Sequence, residues 1–331
     1  MTVEDTLRRW GSPEWRREAS TWIQGAAASD GRTLTGQMRT LHMRFWSVVI
    51  EVPTDRGRLW FKECAPGQGF EPALLSILAE LEPDHFVRPV AVDAASGRVL
   101  LPDLGTNLRG RGDEEWGLVV AALARLQQRL STQHDPLASA GLPAMPAGDA
   151  VEYVDVLAQR LANLPASHAQ HLTVEAATRV LSRLDDVAEW SERLAASPIA
   201  STFQHNDASP ANTFGRPGTE PRWIDVGDAF WSHPFAVLQV PIAMTTGTWP
   251  WGPDWSDPRA QVIAEGYLQQ WRDHADLASL RDLLEPARRM AILHRCESWR
   301  RLLDDAGELA DDPSHPILRD HLVAATGERR P

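Results

Sequence analysis

One stretch of the chain gathers the residue types that handle phosphate and metal: His205-Asn206-Asp207-Ala208-Ser209-Pro210-Ala211-Asn212-Thr213-Phe214, then Trp223-Ile224-Asp225-Val226-Gly227-Asp228. Asp207 and Asn212 stand in a D-x-x-x-x-N spacing. In a phosphoryl-transfer loop that spacing supplies a carboxylate to accept a hydroxyl proton and an amide oxygen to hold a metal. Asp225 ends a strand-like apolar pair and precedes a flexible Val-Gly, where a second oxygen ligand belongs. Of the four asparagines in the chain (Asn107, Asn163, Asn206 and Asn212), two fall inside this stretch. Phosphoryl transfer asks for charge neutralisation by Mg²⁺ on oxygen ligands and a carboxylate near the nucleophile, and both needs are met here.

A second signal lies far upstream. Lys62 is the single lysine among 33 basic residues, the other 32 being arginines. Guanidinium is a wide planar fork, so a position that keeps lysine in such a background asks for a compact charge on a slim stem. Arg58-Leu59-Trp60-Phe61-Lys62-Glu63-Cys64 alternates like a strand and sets the ammonium on one face. A strand lysine of this kind grips nucleotide phosphates in kinase chemistry.

The elements that must position these groups follow from pattern. Helical stretches are expected at Val3–Trp10 and Pro13–Ala26. Strands are expected at Leu34–His42, Phe45–Val52 and Arg58–Cys64, the last two joined by a turn at Pro53–Gly57. A helix opens at Glu71-Pro72 with Leu74, Leu75, Leu78 and Leu81 on one face, and two more strands follow at Val87–Asp93 and Arg98–Pro102. Beyond Asp103-Leu104-Gly105 the pattern turns helical: Glu114–Ser131, Asp149–Asn163, Val174–Ala196, Asp257–Ala275, Leu277–Ala306 and His315–Ala325. Leu137–Gly148 reads as a connecting loop, and Thr202–Asp228 is a non-helical island. The reading is α+β, a small sheet-rich N-terminal lobe over residues 1–104 and a larger helical lobe over 105–331.

With these residues in view, HNDASPANTF followed by WIDVGD resembles the His-x-Asp…Asn and Ile-Asp-Trp-(Gly/Glu)-Asp signatures of the aminoglycoside phosphotransferase/choline kinase-like family. Trp60-Phe61-Lys62-Glu63 followed by Phe70-Glu71-Pro72-Ala73-Leu74 is similar to its nucleotide lysine and helix glutamate, and Leu100-Leu101-Pro102-Asp103-Leu104-Gly105 to its inter-lobe linker. The resemblance spans roughly residues 35–235 and implies a two-lobed protein-kinase-like fold, with an antiparallel-sheet N-lobe and ATP and Mg²⁺ in the cleft. It implies Asp207 as catalytic base, Asn212 and Asp225 as Mg²⁺ ligands, and Lys62 on the α/β-phosphates paired with Glu71 (Glu80, over two turns later, ranking second). His205 would anchor the loop, and Pro102, Asp103 and Leu104 would frame the adenine through backbone groups. The chain departs from the family at Asn206, where glycine is usual, at Ala208-Ser209 and at Val226. It also lacks a glycine-rich phosphate flap over Met38–Ser47, which leaves the phosphates to Ser47 or to backbone amides. A Walker-type G-x-x-x-x-G-K motif is absent.

The implied reaction is transfer of the γ-phosphoryl group to a hydroxyl of a small molecule: an aminoglycoside, another antibiotic, an amino sugar or a metabolite. Trp249, Trp251 and Trp255, set among Pro, Gly, Asp254 and Asp257, would suit a cationic or sugar-like acceptor, though the same loop also fits simple packing between helices. Asp228 stands open between an acceptor contact and a structural cap. A net charge of −12 and a pI near 5.4 argue against nucleic acid or an anionic membrane as partner. No stretch approaches the roughly 18 apolar residues of a membrane span. Two cysteines and no visible signal peptide point to the cytoplasm, and oligomeric state is not encoded. Two rival classes stay open: a nucleotide-binding pseudokinase, and a metal-dependent hydrolase built from His205 and Asp207 with His134, Asp135 or His233.

Overall fold

Alternating side chains build the N-terminal sheet and set its two faces to different work. A computed structural model describes residues 3–216, 219–249, 252–305, 308–311 and 317–327. Helices α1 (Val3–Gly11) and α2 (Pro13–Ser29) lead into β1 (Arg39–Arg44), β2 (Ser47–Thr54) and β3 (Gly57–Cys64). Then come α3 (Glu71–Leu81), β4 (Ala91–Asp93) and β5 (Arg98–Pro102). The five strands form one antiparallel sheet in the order β1-β2-β3-β5-β4. Val48, Ile50, Val52, Leu59 and Phe61 face α1 and α2 and pack with Trp10, Trp15 and Ile23. The opposite face, where Lys62 is in register with Val49 and Val99 and Trp60 with Glu51 and Leu101, looks onto α3 and the rest of the chain.

Glu63 locks the two N-terminal helices to the sheet. Only 1% exposed, its carboxylate accepts from Trp10 Nε1 at 2.8 Å, Trp15 Nε1 at 2.9 Å and Arg98 Nε at 2.7 Å, and pairs with Arg9. A buried carboxylate persists when every lone pair finds a donor. Burial alone would raise its pKa, but these four donors outweigh it and hold the group below 4.5.

The helical part comprises α4 (Asp113–Leu130), α5 (His134–Ser139), α6 (Ala150–Ala162), α7 (Val174–Leu181), α8 (Leu184–Ala195), α9 (Gln239–Thr246), α10 (Pro258–Leu268), α11 (Leu277–Asp282), α12 (Leu284–Leu303) and α13 (Ile317–Thr326). Two short antiparallel pairs are set among them: β6 (Thr202–Gln204) with β9 (Phe230–Ser232), and β7 (Thr213–Phe214) with β8 (Arg222–Trp223). A last pair joins β10 (Asp304–Asp305) to β11 (Glu308–Leu309). No helix among the described residues is long and apolar enough to cross a membrane.

Helix α12 is the strut between the two parts. Trp299 meets Phe45 and Trp46, the tip of the β1–β2 hairpin, with each pair of ring centroids 5.8 Å apart. Arg301 lies over Phe70 on one side and Phe230 on the other. Gly67, in the 3₁₀ turn Pro66–Gln68, is needed for this approach, because a Cβ there would collide with the Arg301 carbonyl.

Several boundaries differ from expectation. The helix expected over Val174–Ala196 breaks at Ser182-Arg183, where the Ser182 hydroxyl donates to the Arg179 carbonyl. The first strand starts later, at Arg39, and Phe45 lies in the hairpin turn. A short helix, α5, opens the region read as loop. The segment from Pro234 to Ala243 is a 3₁₀ turn running into α9, and every one of its residues is buried. A segment buried on all sides has no amphipathic stripe to read.

Replacing Glu63 with Gln breaks the buried ion pair with Arg98, which keeps only the exposed Glu18, and should cost ~3–5 kcal/mol of stability, the range for breaking a buried ion pair. Because the folded pKa is depressed, the wild-type contribution is complete above about 4.5 and is lost as pH falls through the lower folded value. Chemical denaturation across pH 3–7 should therefore show the gap between wild type and Glu63→Gln closing only in acid. An equal gap at every pH would contradict this.

Candidate active site

Three distant segments converge on the Lys62 ammonium. Lys62 Nζ donates to Glu71 Oε1 at 2.8 Å and Oε2 at 2.7 Å, and to Asp225 Oδ1 at 2.5 Å. The Glu71 side chain is 2% exposed and that of Asp225 42%, so the inner carboxylate is sealed and the outer one opens on the cleft. Glu71 begins α3, where the helix N-terminus favours a negative charge. Burial opposes the charge on Lys62, yet Asp225 and Glu71 together hold its pKa well above the ordinary value. Asp225 loses part of its hydration in the cleft, yet Lys62 holds it below the usual carboxylate range. Glu80 takes no part in this cluster.

The loop geometry is specific. Asn206 (φ 58°) and Asp225 (φ 64°) are the only non-glycine residues with positive φ among the described residues. The left-handed region favours glycine first and asparagine or aspartate next. This accounts for asparagine at the position where the resembled family has glycine. Strained backbone at Asp225 aims its carboxylate at Lys62, and such strain concentrates at functional sites. Gly227 must be glycine for a different reason: a Cβ there would lie 2.7 Å from Glu71 Oε2.

The β7–β8 hairpin brings the two expected metal ligands side by side. Thr213 pairs with Trp223, and the Ile224 amide donates to the Asn212 carbonyl at 3.1 Å, which sets Asn212 and Asp225 at adjacent strand ends. Asn212 Nδ2 donates to Asp207 Oδ2 at 2.8 Å and to the Asp207 carbonyl at 3.1 Å. Buried His205 accepts from the Asp207 amide at Nδ1, 3.3 Å, so its Nε2–H donates to the Ile224 carbonyl at 3.0 Å. The ring thereby ties the Asp207 loop to the strand before Asp225. Burial raises the pKa of Asp207 to about 7; Asp228 and Asp225 add to this, while Arg295 and Asn212 work against it. A carboxylate poised near neutrality suits proton acceptance.

Asn212 Oδ1 and Asp225 Oδ2 accept no hydrogen bond among the described residues. Magnesium is bound by one or two carboxylates together with phosphates and water, so this pair of free oxygens fits it. No group of three or more His, Cys, Asp or Glu side chains among the described residues could hold a metal by itself. His134 packs against Trp231, and His233 caps the 3₁₀ turn that begins at Pro234. The hydrolase reading thus finds no assembled ligand set there.

The other expected residues take varied positions. Asp103 turns its carboxylate inward, accepting from Trp60 Nε1 at 3.2 Å, the Gly105 amide at 3.0 Å and Arg58 at 2.9 Å. This clamps the linker between Pro102 and Leu104 to the sheet. Ser47 is 2% exposed at the tight hairpin turn, between Arg44 and Cys64 in register, so its hydroxyl is not presented to a phosphate. Asp228 accepts from Gln68 Nε2 at 2.9 Å and Arg295 Nη1 at 2.7 Å, an internal tie rather than an open acceptor contact. Trp249 stacks on Arg295, with 5.2 Å from the guanidinium carbon to the ring centroid. Trp255 donates to Glu285, Asp254 accepts from Ser256, and Asp257 caps α10. These acids are spent on loop structure. Trp251 lies outside the described residues.

Two contributors escape sequence reasoning. Buried Arg295 on α12 donates to Asp228 and to the Asn206 carbonyl at 3.4 Å, joining the Asp207 loop to Trp249. One arginine among 32 carries no signal. Trp60, two residues before Lys62 on the same sheet face, ties that face to the linker through its hydrogen bond to Asp103. Its alternation with Lys62 was a usable clue.

The left-handed backbone at Asn206 yields a direct test. Asn206→Gly should leave the thermal midpoint nearly unchanged, while Asn206→Ala should lose ~1–2 kcal/mol. Equal stability of the two variants would contradict the strained geometry.

No protein-family model and no curated protein sequence matches the chain. Solved structures do. The ethanolamine kinase of Plasmodium vivax superposes with a TM-score of 0.62 at 10% identity, covering 98% of this chain and 91% of that one. The choline kinase LicA of Streptococcus pneumoniae gives 0.59 at 13% identity over 93% and 99% of the two chains. The macrolide 2'-phosphotransferase MphH of Brachybacterium faecium gives 0.56 at 15% identity over 94% and 99%. The chain therefore has the two-lobed, kinase-like fold shared by these small-molecule phosphotransferases.

Proposed function

We propose that this protein is an ATP- and Mg²⁺-dependent kinase that transfers the γ-phosphoryl group to a hydroxyl of a small molecule in the cytoplasm. The observation that carries the reading is the Lys62–Glu71–Asp225 cluster standing in one cleft with the Asp207–Asn212 pair, on a fold shared with phosphotransferases. We assign residues 1–104 to a nucleotide-binding lobe and 105–331 to a lobe carrying the Asp207 loop and the acceptor site. Lys62 would hold the phosphates, its direction fixed by Glu71, which stays buried behind it. Asn212 and Asp225 would hold Mg²⁺, which when bound supplies neutralisation of phosphate charge. Asp207 would orient the acceptor hydroxyl and take its proton at Oδ. Arg295 keeps Asp228 and the Asn206 carbonyl in place and favours the charged form of Asp207. Positioning and electrostatics of this kind supply most of the catalysis in phosphoryl transfer.

The cleft carboxylates and the net charge of −12 favour an acceptor with cationic or sugar-like character. ADP release from Mg-ATP should be measured against amino alcohols, macrolides, aminoglycosides and amino sugars. A responding acceptor should lose at least ~10³-fold of its turnover in Asp207→Asn, while that variant still binds Mg-ATP. Full turnover in Asp207→Asn would overturn the assignment.

A further inference from the structure

The β1 edge of the five-stranded sheet carries two basic side chains that take no part in the Lys62 cluster. His42 and Arg44 on β1 are exposed. Neither makes a hydrogen bond or ion pair among the described residues. Register decides where they point. Thr40 pairs with Ile50 and His42 with Val49, so Leu41 is an extra residue in the strand, a bulge. A bulge re-aims the side chains that follow it. Without it, His42 and Arg44 would share the face of Thr40 and meet the apolar packing around Trp10 and Phe61. With it, Met43 packs there, and His42 and Arg44 join Val49 and Lys62 on the cleft face. His42, Val49 and Lys62 form one row across three strands, so His42 stands roughly 10 Å from Lys62, two strand spacings away. The groups that act on the His42 ring are those of the site: partial desolvation and the Lys62 ammonium lower its pKa, Asp225 opposes them, and Arg44 adds to the lowering.

We propose that His42 and Arg44 form a side-chain clamp for the outer phosphates of the nucleotide, doing the work that a glycine-rich flap would do through backbone amides. This rests on the kinase reading above. Among the described residues the carboxylates Glu71, Asp207, Asp225 and Asp228 outnumber the cations that act on them, Lys62, Arg295 and, on Asp228, Arg301. A polyphosphate entering the cleft needs further positive charge along its length, and Arg44 offers a bidentate fork for a terminal phosphate. Arg39 provides an internal contrast. It lies on the same strand and face, but its charge is spent on Glu51 at 2.6 Å.

The test is calorimetric titration of the full chain with Mg-ATP and with AMP, for wild type, H42A/R44A, Arg39→Ala and Lys62→Ala. The clamp predicts that H42A/R44A binds Mg-ATP at least ~10-fold more weakly, with AMP affinity within threefold of wild type and Arg39→Ala unchanged. His42→Gln with Arg44→Gln gives the same reading should the alanine pair unfold. Unaltered Mg-ATP affinity in the double variant, with Lys62→Ala impaired, overturns the clamp and leaves the kinase reading standing; the two cations would then only guard an open sheet edge. Failure of the wild-type chain to bind Mg-ATP overturns both.

Discussion

Everything in the cleft depends on one ammonium shared between two carboxylates. Lys62 belongs to the sheet, Glu71 to the helix behind it, and Asp225 to the far lobe. A buried lysine is costly to charge, and a buried glutamate equally so; each is tolerable only because the other is there. The third member is held differently. Asp225 is more open, sits on a left-handed backbone and reaches Lys62 with one oxygen, leaving the second free for another partner. The cluster thus combines a fixed inner pair with an outer carboxylate that keeps one oxygen open.

Around that ammonium the chain invests its stereochemical exceptions. Asn206 and Asp225 carry positive φ, Gly227 makes room for Glu71, and Gly67 lets α12 meet the N-terminal lobe. Helix α12 runs past each of these points. Its Arg295 ties down the Asp207 loop, its Trp299 meets the hairpin tip, and its Arg301 sits between Phe70 and Phe230. The relative placement of Lys62 and Asp207 is therefore set by packing along one helix as well as by the linker at Asp103.

What could be read from the sequence was chemistry that is rare and closely spaced. A lone lysine on an alternating strand and Asp207, Asn212 and Asp225 within one short stretch stand out by type and spacing, and the two-lobed outline follows from the change of pattern near residue 104. What could not be read depends on register and burial. His42 and Arg44 reach the cleft face only through the bulge at Leu41, which no local pattern announces. Arg295 is one of many arginines, distinguished by where α12 lies. The Thr245–Asp257 loop showed the opposite failure: its acids, open to an acceptor reading by composition, are consumed in turns and a helix cap.

The central claim is that a slim point charge at position 62 grips nucleotide phosphates, so the most direct measurement is Mg-ATP affinity of Lys62→Arg beside wild type. The substitution keeps the positive charge but forces a planar fork between Glu71 and Asp225. The account predicts that wild type binds Mg-ATP and that Lys62→Arg, still folded, loses at least ~10-fold in affinity. Equal Mg-ATP affinity of the two proteins, or no binding by the wild type, would contradict it.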